Sequence, residues 1–313
     1  MPFLKLTSDF LFKTLFSQNP DLLTYLVNST LGEEQVSSVK TINPAIPKEI
    51  LSDKLSVLDI KAKDQYNNIF HIEMQASPQN FYPKRAIYYW AKLYFRQLNQ
   101  GNLYSDLKKV YSISFLNFSG IPHSKRYHFT FLTLDKYDPK IRLTDDFEVH
   151  ILEIPRFKKK LEELESSLDT WLYVIKRSSK LKEKEMKAII EKNPIMEKTF
   201  SELERISMDE KTRELYEMRE IGLHDYNTNI QSAFERGEKK GEKKGEKKGE
   251  ERGIKKESRK SKRREHKKDI RTAIKLRSSG MSLEFISQIT ELPIPWLKRF
   301  FERIEKASSK NGA

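Results

Sequence analysis

Between Leu55 and Gln75 the chain reads LSVLDIKAKDQYNNIFHIEMQ, two alternating runs around a polar turn, and no other stretch constrains the fold as tightly. Asp64 to Asn68 carry the turn chemistry, and the flanking runs read as strands. Side chains alternate across a strand. Val57, Asp59 and Lys61 therefore share one face and Leu58, Ile60 and Ala62 the other. In the second run His71, Glu73 and Gln75 share a face opposite Phe70, Ile72 and Met74. A fold about Tyr66 sets Asp59 across from Glu73 and Lys61 across from His71. Facing carboxylates repel. A solvated sheet face tolerates that; so does a divalent cation held between them.

The flanks supply the rest of a domain. Residues 7–16 (TSDFLFKTLF) predict a short helix capped by Ser8 or Asp9, with Leu11, Phe12, Leu15 and Phe16 on its apolar face. A second helix starts at Asn19-Pro20, turns Leu22, Leu23, Leu26 and Val27 inward and stops at Gly32. Gln35 to Ile42 reads as a first strand and Asn43 to Pro47 as a loop. From Tyr82 to Leu98 the period becomes helical. Ile87, Trp90, Ala91, Tyr94 and Leu98 fall on one side, and Arg85, Tyr89, Lys92 and Arg96 in a narrow arc on the other. Val110–Phe118, Tyr127–Leu134 and Phe147–Ile154 read as three more strands. Helices interleaved with strands in this order predict an α/β domain with a mixed sheet. Past Pro155 the strand signals stop. Lys158 to Ile190 and Glu197 to Glu220 read as helix, broken at Pro194.

The formal charge is +14, but it is unevenly spread: residues 235–268 alone carry +9. A positive field attracts polyanions, nucleic acid first, so charge argues for DNA mainly in the tail. There is no cysteine, which removes disulfides and thiolate metal sites. The histidines lack zinc-site spacing, so a metal here would take oxygen ligands, with Mg²⁺ or Mn²⁺ the fitting ions. No apolar run is long enough for a membrane span, and the first residues lack a signal-peptide pattern. These readings favour a cytoplasmic protein with no membrane partner and no small-molecule cofactor.

Residues 235–253 (ERGEKKGEKKGEKKGEERG) place a glycine at every fourth position. Glu and Lys can pair along a helix, while each glycine costs roughly 1 kcal/mol relative to alanine. A weak helix, a helix formed on pairing and a flexible tether all remain open. From Asp269 three short helices follow, divided at Gly280 and at Leu292-Pro293. That outline is helix-turn-helix-like, with Lys298 and Arg299 on the last helix; a small self-associating bundle shares it.

The opening SDFLFKTLF, the hairpin LDIKAKDQYNNIFHIEMQ and the helix RAIYYWAKLY resemble the Rpn-type recombination-promoting nucleases, described also as PD-(D/E)XK family transposases. The likeness covers about Asp9 to Phe118. It implies a restriction-endonuclease-like mixed sheet flanked by helices and Mg²⁺-dependent DNA cleavage. On this reading residues 1–155 form the nuclease core, 156–230 a helical extension, 231–268 a basic Gly-repeat tether and 269–308 the helix-turn-helix-like module. Asp59 and Glu73 match the metal-binding acids, with the Met74 carbonyl as a further ligand and Asp9 as an acidic helper or simply a helix cap. Gln75 stands where the wider superfamily has lysine, and Lys61 could supply the missing positive charge. Arg85, Tyr89, Lys92 and Arg96 would contact DNA, or form an ordinary polar face. A double-strand cut would need a homodimer. The competing readings are a DNA-binding protein without turnover and an oligomerisation protein.

Overall fold

The computed structural model describes residues 3–32, 35–43, 59–79 and 81–310. The predicted strand residues Leu55 to Leu58, Val57 among them, and the loop residues Pro44 to Pro47 lie outside this set. The chain divides into two compact units, Met1–Ile230 and Gln231–Ala313.

The first unit is built on a six-stranded sheet in the order β1-β2-β3-β4-β6-β5. Its strands are β1 (Val39–Thr41), β2 (Asp59–Asp64), β3 (Ile69–Gln75), β4 (Val110–Leu116), β5 (His128–Leu132) and β6 (Phe147–Glu153). β3, β4 and β6 run parallel, while β1, β2 and β5 pair antiparallel to their neighbours. The sheet is mixed, as the element order predicts. β4, with every residue buried, is the centre; its continuous apolar and small-residue run VYSISFL fits a strand covered on both faces.

Helices α1 (Asp9–Gln18) and α2 (Pro20–Leu31) begin the chain. Gly32 ends α2 at φ +89, a left-handed conformation that costs glycine least, and its N–H caps Asn28 O. Phe12 and Phe16 of α1 pack on each other, Phe12 also on Phe115 of β4 and Phe16 on Trp171. These rings anchor one large core with Ile60, Phe70, Ile72 and Met74. Trp171 belongs to α4 (Ser167–Arg177), whose Ser166 accepts from Asp169 N in a capping box. The predicted long helix from Lys158 is therefore shorter: Leu161 sits in a 3-10 turn and Leu164 outside any helix, because the Ser166 cap restarts the backbone. α5 (Glu183–Lys192) and α6 (Ile195–Met208) follow.

Helix α3 (Tyr82–Phe95) covers a smaller core with Leu116, Phe129, Val149 and Ile151. Its buried residues are Tyr82 and Ala86. Ile87 is 54% exposed. The buried side thus lies between the two arcs read from the sequence, since strand residues, not α3's own hydrophobicity, decide which turn packs.

At the β5–β6 side the sheet carries a closed polar network. Lys109 Nζ donates to Glu148 (2.6 Å), whose other oxygen lies 2.9 Å from His150 Nε2; His150 Nδ1 lies 3.0 Å from His128 Nε2 and 3.3 Å from the Thr130 hydroxyl.

The long helix α7 (Glu210–Ser278) gives its first turns to the first unit and includes the glycine repeat. A Cβ added at any of the repeat's five glycines meets nothing within 4 Å. In the second unit the end of α7, α8 (Leu283–Thr290) and α9 (Ile294–Lys310) enclose Ala273, Ile286, Leu292, Leu297 and Phe301. Gly280 at φ +81 makes the first turn, and Ser282 accepts from Phe285 N at the start of α8.

Candidate active site

The β2–β3 ladder pairs Asp59 with Glu73 and Lys61 with His71, the register that alternation predicts. Asn43 holds the outer edge of β2 there. Its amide nitrogen donates to Asp59 O (3.1 Å), and its oxygen accepts from Lys61 N (2.6 Å). A side chain thus stands in for a neighbouring strand at the residues that carry the carboxylate and the lysine.

Asp59 is half-buried. His71 Nε2 donates to Asp59 Oδ2 (3.1 Å), and Lys61 Nζ lies 3.7 Å from the same oxygen. Burial alone would raise the Asp59 pKa. The hydrogen bond from His71 and the nearby His71, Lys61 and Lys13 charges outweigh it, so the carboxyl sits below its ordinary value. His71 is 1% exposed, and its Nδ1 has no hydrogen-bond partner among the described residues. Its ring stacks on Tyr89 at 5.7 Å.

Glu73 is 2% exposed. Its Oε1 accepts a hydrogen bond from the Tyr82 hydroxyl. Burial, and then the adjacent Glu73 carboxylate, push the Tyr82 phenol well above its ordinary pKa, so it stays a donor. Glu73 Oε2 has no hydrogen-bond partner among the described residues; Arg85 Nη2 lies 3.6 Å away, an ion pair too long for a hydrogen bond. Buried carboxylate oxygens normally accept a hydrogen bond, and one answered by an ion pair alone is incompletely satisfied. Arg85 is held by Gln79 and stands 5.3 Å over the Tyr89 ring.

Gln75, at the partly exposed end of β3, donates to Ser77 O at 3.2 Å. Met74 buries its side chain in the large core, so a ligand role for this residue would fall to its backbone carbonyl. Asp9 faces elsewhere: Arg219 of α7 donates to both its oxygens, at 3.2 and 2.6 Å, and Phe10 N donates at 2.8 Å. That carboxylate is neutralised by a guanidinium and braces α1 against α7. Lys13, one turn further along α1, is the residue that senses the site. It is 4% exposed; burial lowers its pKa, Asp59 opposes that shift and Lys61 adds to it.

Arg85 and Tyr89 turn toward Glu73 and His71, whereas Lys92 is half-buried and Arg96 exposed. Lys298 and Arg299 are exposed on α9 in the second unit. His71, Tyr82, Asn43 and Lys13 join the site without standing among the residues that the sequence pattern singles out. Lys13 carried a signal, a lone lysine amid the apolar run FLFKTLF of a helix expected to be buried. Tyr82 and Asn43 carried none, since their partners are set by tertiary packing.

The donor types fit a hard divalent cation: two carboxylates paired across adjacent strands, one with a buried oxygen that makes no hydrogen bond among the described residues, and no soft ligand. Among the described residues no group of three or more His, Asp or Glu side chains stands together at metal-holding geometry, so a cation here would complete its shell with backbone, water or substrate oxygens. No helix among the described residues is long and apolar enough to cross a membrane.

No curated protein and no solved structure matches the chain. A family model does, over residues 6–233, a span that contains the sheet, α3 and the Asp59–Glu73 pair. The chain belongs to the PD-(D/E)XK nuclease family transposases.

Proposed function

We propose that this chain is a Mg²⁺-dependent DNA endonuclease that hydrolyses phosphodiester bonds in the course of recombination or transposition. The observation that carries the reading is the pairing of Asp59 with Glu73 across two strands, with Glu73 Oε2 buried, without a hydrogen bond among the described residues and 3.6 Å from Arg85 Nη2. Two acids opposed at this cost make sense when a cation offsets them. Asp59, Glu73 and the Met74 carbonyl would hold the ion, and Asp9, occupied by Arg219, is left out of the set. Mg²⁺, when bound, supplies charge neutralisation at the phosphate and a more acidic water.

The chain's own residues do the rest. His71 orients Asp59 through Nε2 and Tyr82 orients Glu73 through its hydroxyl. Gln75 offers an amide to the attacking water, and Lys61, beside Asp59, the positive charge that glutamine lacks. Lys92 and Arg96 would meet backbone phosphates, while Arg85 and Tyr89 brace the carboxylate and His71 from behind. The basic tail, with Lys298 and Arg299, adds sequence-independent DNA affinity. A homodimer would bring two sites to opposite strands.

Supercoiled plasmid incubated with Mg²⁺ and, separately, with EDTA tests the reading. Metal-dependent nicking that disappears in Asp59→Ala and Glu73→Ala supports it. Salt-sensitive binding without any nicking would instead make the chain a DNA-binding protein that keeps the fold.

A further inference from the structure

The outer face of α3 has no role in the site just described, and its composition is unusual. Phe81, Tyr88 and Phe95 are 74, 63 and 81% exposed. They recur every seven residues, so they share one side of the helix, with about 10 Å of rise between successive rings. Lys84 lies on the same side, its Nζ 5.5 Å from the centroid of the Phe81 ring. Tyr82–Phe95 contains no acidic residue, while it carries Lys84, Arg85 and Lys92, with Arg96 at its C-cap. Phe81 itself stands at φ +63. For a bulky residue that conformation is a true outlier and costs about 1–3 kcal/mol. The turn sends Phe81 into solvent and the next residue, Tyr82, inward to Glu73.

We infer that this face is a stacking platform for unpaired nucleobases in the strand presented to Asp59 and Glu73; the choice of DNA rests on the nuclease reading above. Rings alternating with cations match a polymer whose flat bases alternate with phosphates, and a base gives up water to an aromatic face whatever its identity. A second copy of this chain fits poorly, because it would set one acid-free, cationic helix against another. Bases inside a duplex hide their faces. The ligand is therefore a single strand or a base step that has been opened, and Phe81, one residue from Tyr82, would hold the base nearest the cut.

The test uses the full chain in EDTA, so that binding is read without cleavage, and raised salt, so that phosphate contacts of the basic tail weaken while stacking persists. Fluorescence anisotropy measures affinity for labelled oligothymidylate, for the matching duplex and for a duplex with an unpaired loop. Phe81→Ala, Tyr88→Ala and Phe95→Ala are each expected to weaken binding to the single strand by about tenfold and to leave duplex binding unchanged. The duplex with the loop separates the two sources of an unpaired base: a loss there equal to that on the single strand assigns the platform to opened steps as well. Phe81→Gly is expected to lose the same affinity while raising the melting temperature, because glycine relieves the left-handed strain. A merely structural Phe81 would not give that combination. A triple alanine variant that binds the single strand as tightly as wild type would overturn the inference. So would an equal loss on single strand and duplex, or a shift from dimer to monomer in light scattering with binding unchanged. A chain that stacks bases yet never cuts sinks the nuclease reading alone; one that cuts, with neutral variants, sinks the platform alone.

Discussion

Two polar clusters share the sheet of the first unit, and both contain a carboxylate, a histidine and a lysine. At the β5–β6 side every participant is answered: Lys109 and His150 take the two oxygens of Glu148, and His128 and Thr130 take the other nitrogen of His150. At the β2–β3 side the accounting stays open. Glu73 Oε2, His71 Nδ1 and two nitrogens of Arg85 are buried without hydrogen-bond partners among the described residues. A satisfied buried network rigidifies a core, while a partly satisfied one is costly unless a further group completes it. On the proposed reading the open cluster is the one a cation would complete, although composition alone makes the two look alike.

The sharpest way to break the comparison is to delete a carboxylate from each. Asp59→Ala or Glu73→Ala is expected to cut nicking by about 10³-fold, roughly 4 kcal/mol of transition-state stabilisation, with Glu73→Ala costing less stability than Glu148→Ala, since Glu73 accepts a hydrogen bond on one oxygen and Glu148 on both. Glu148→Ala is expected to do the reverse. It leaves Lys109 and His150 without their partner and costs about 3 kcal/mol in urea unfolding, while nicking per folded molecule holds. Equal stability losses at Glu73 and Glu148 would erase the distinction.

Lysines sharpen it next. Lys61→Ala is expected to slow nicking by about 10- to 100-fold, and Lys63→Ala, two residues further from Asp59 on β2, to leave it nearly unchanged; equal losses would remove Lys61 from the site. The pH response separates the clusters as well. Burial and the neighbouring His150 and Arg126 charges bring His128 down to about 4. Between the unfolded histidine value of about 6.5 and about 4, the unfolded chain binds a proton that the folded chain refuses, so stability falls as pH is lowered through this window. His128→Gln should flatten that slope in pH-dependent thermal melts and leave the acid limb of activity in place. On the proposed reading that limb belongs to Asp59, whose carboxyl is held below its ordinary value against the opposing effect of burial by the His71 hydrogen bond and the neighbouring charges. The smallest expected effect is in Lys13→Met, which removes one of the cations holding Asp59 down. The acid limb in a pH–rate profile should move to higher pH, with stability preserved or raised.

The hairpin was legible because its information is local. A period of two and a polar turn about Tyr66 are enough to set Asp59 against Glu73. The helix termini at Gly32, Ser282 and Gly280 were legible for the same reason, as capping is a property of a few adjacent residues. The rotation of α3 was not. Its own pattern gave two plausible faces, and the apolar residues of β4, β5 and β6 chose a third. Asp9 likewise reads as an acid near the start of α1 until Arg219, far along the chain, arrives to claim it. The glycine repeat sits between these cases: Glu–Lys pairing favours helix, glycine opposes it, and the helical outcome in α7 is a balance that local sequence left open.

What the sequence determined by itself was the strand pair, its register and the two acids on a common face, because alternation and turn chemistry act over neighbouring residues. What only the tertiary structure decided was the state of those acids. The buried Glu73 oxygen that makes no hydrogen bond among the described residues, the histidine on Asp59, the buried lysine on α1 and the outward aromatics of α3 all arise where distant segments meet, and hydrogen-bond satisfaction is settled only there.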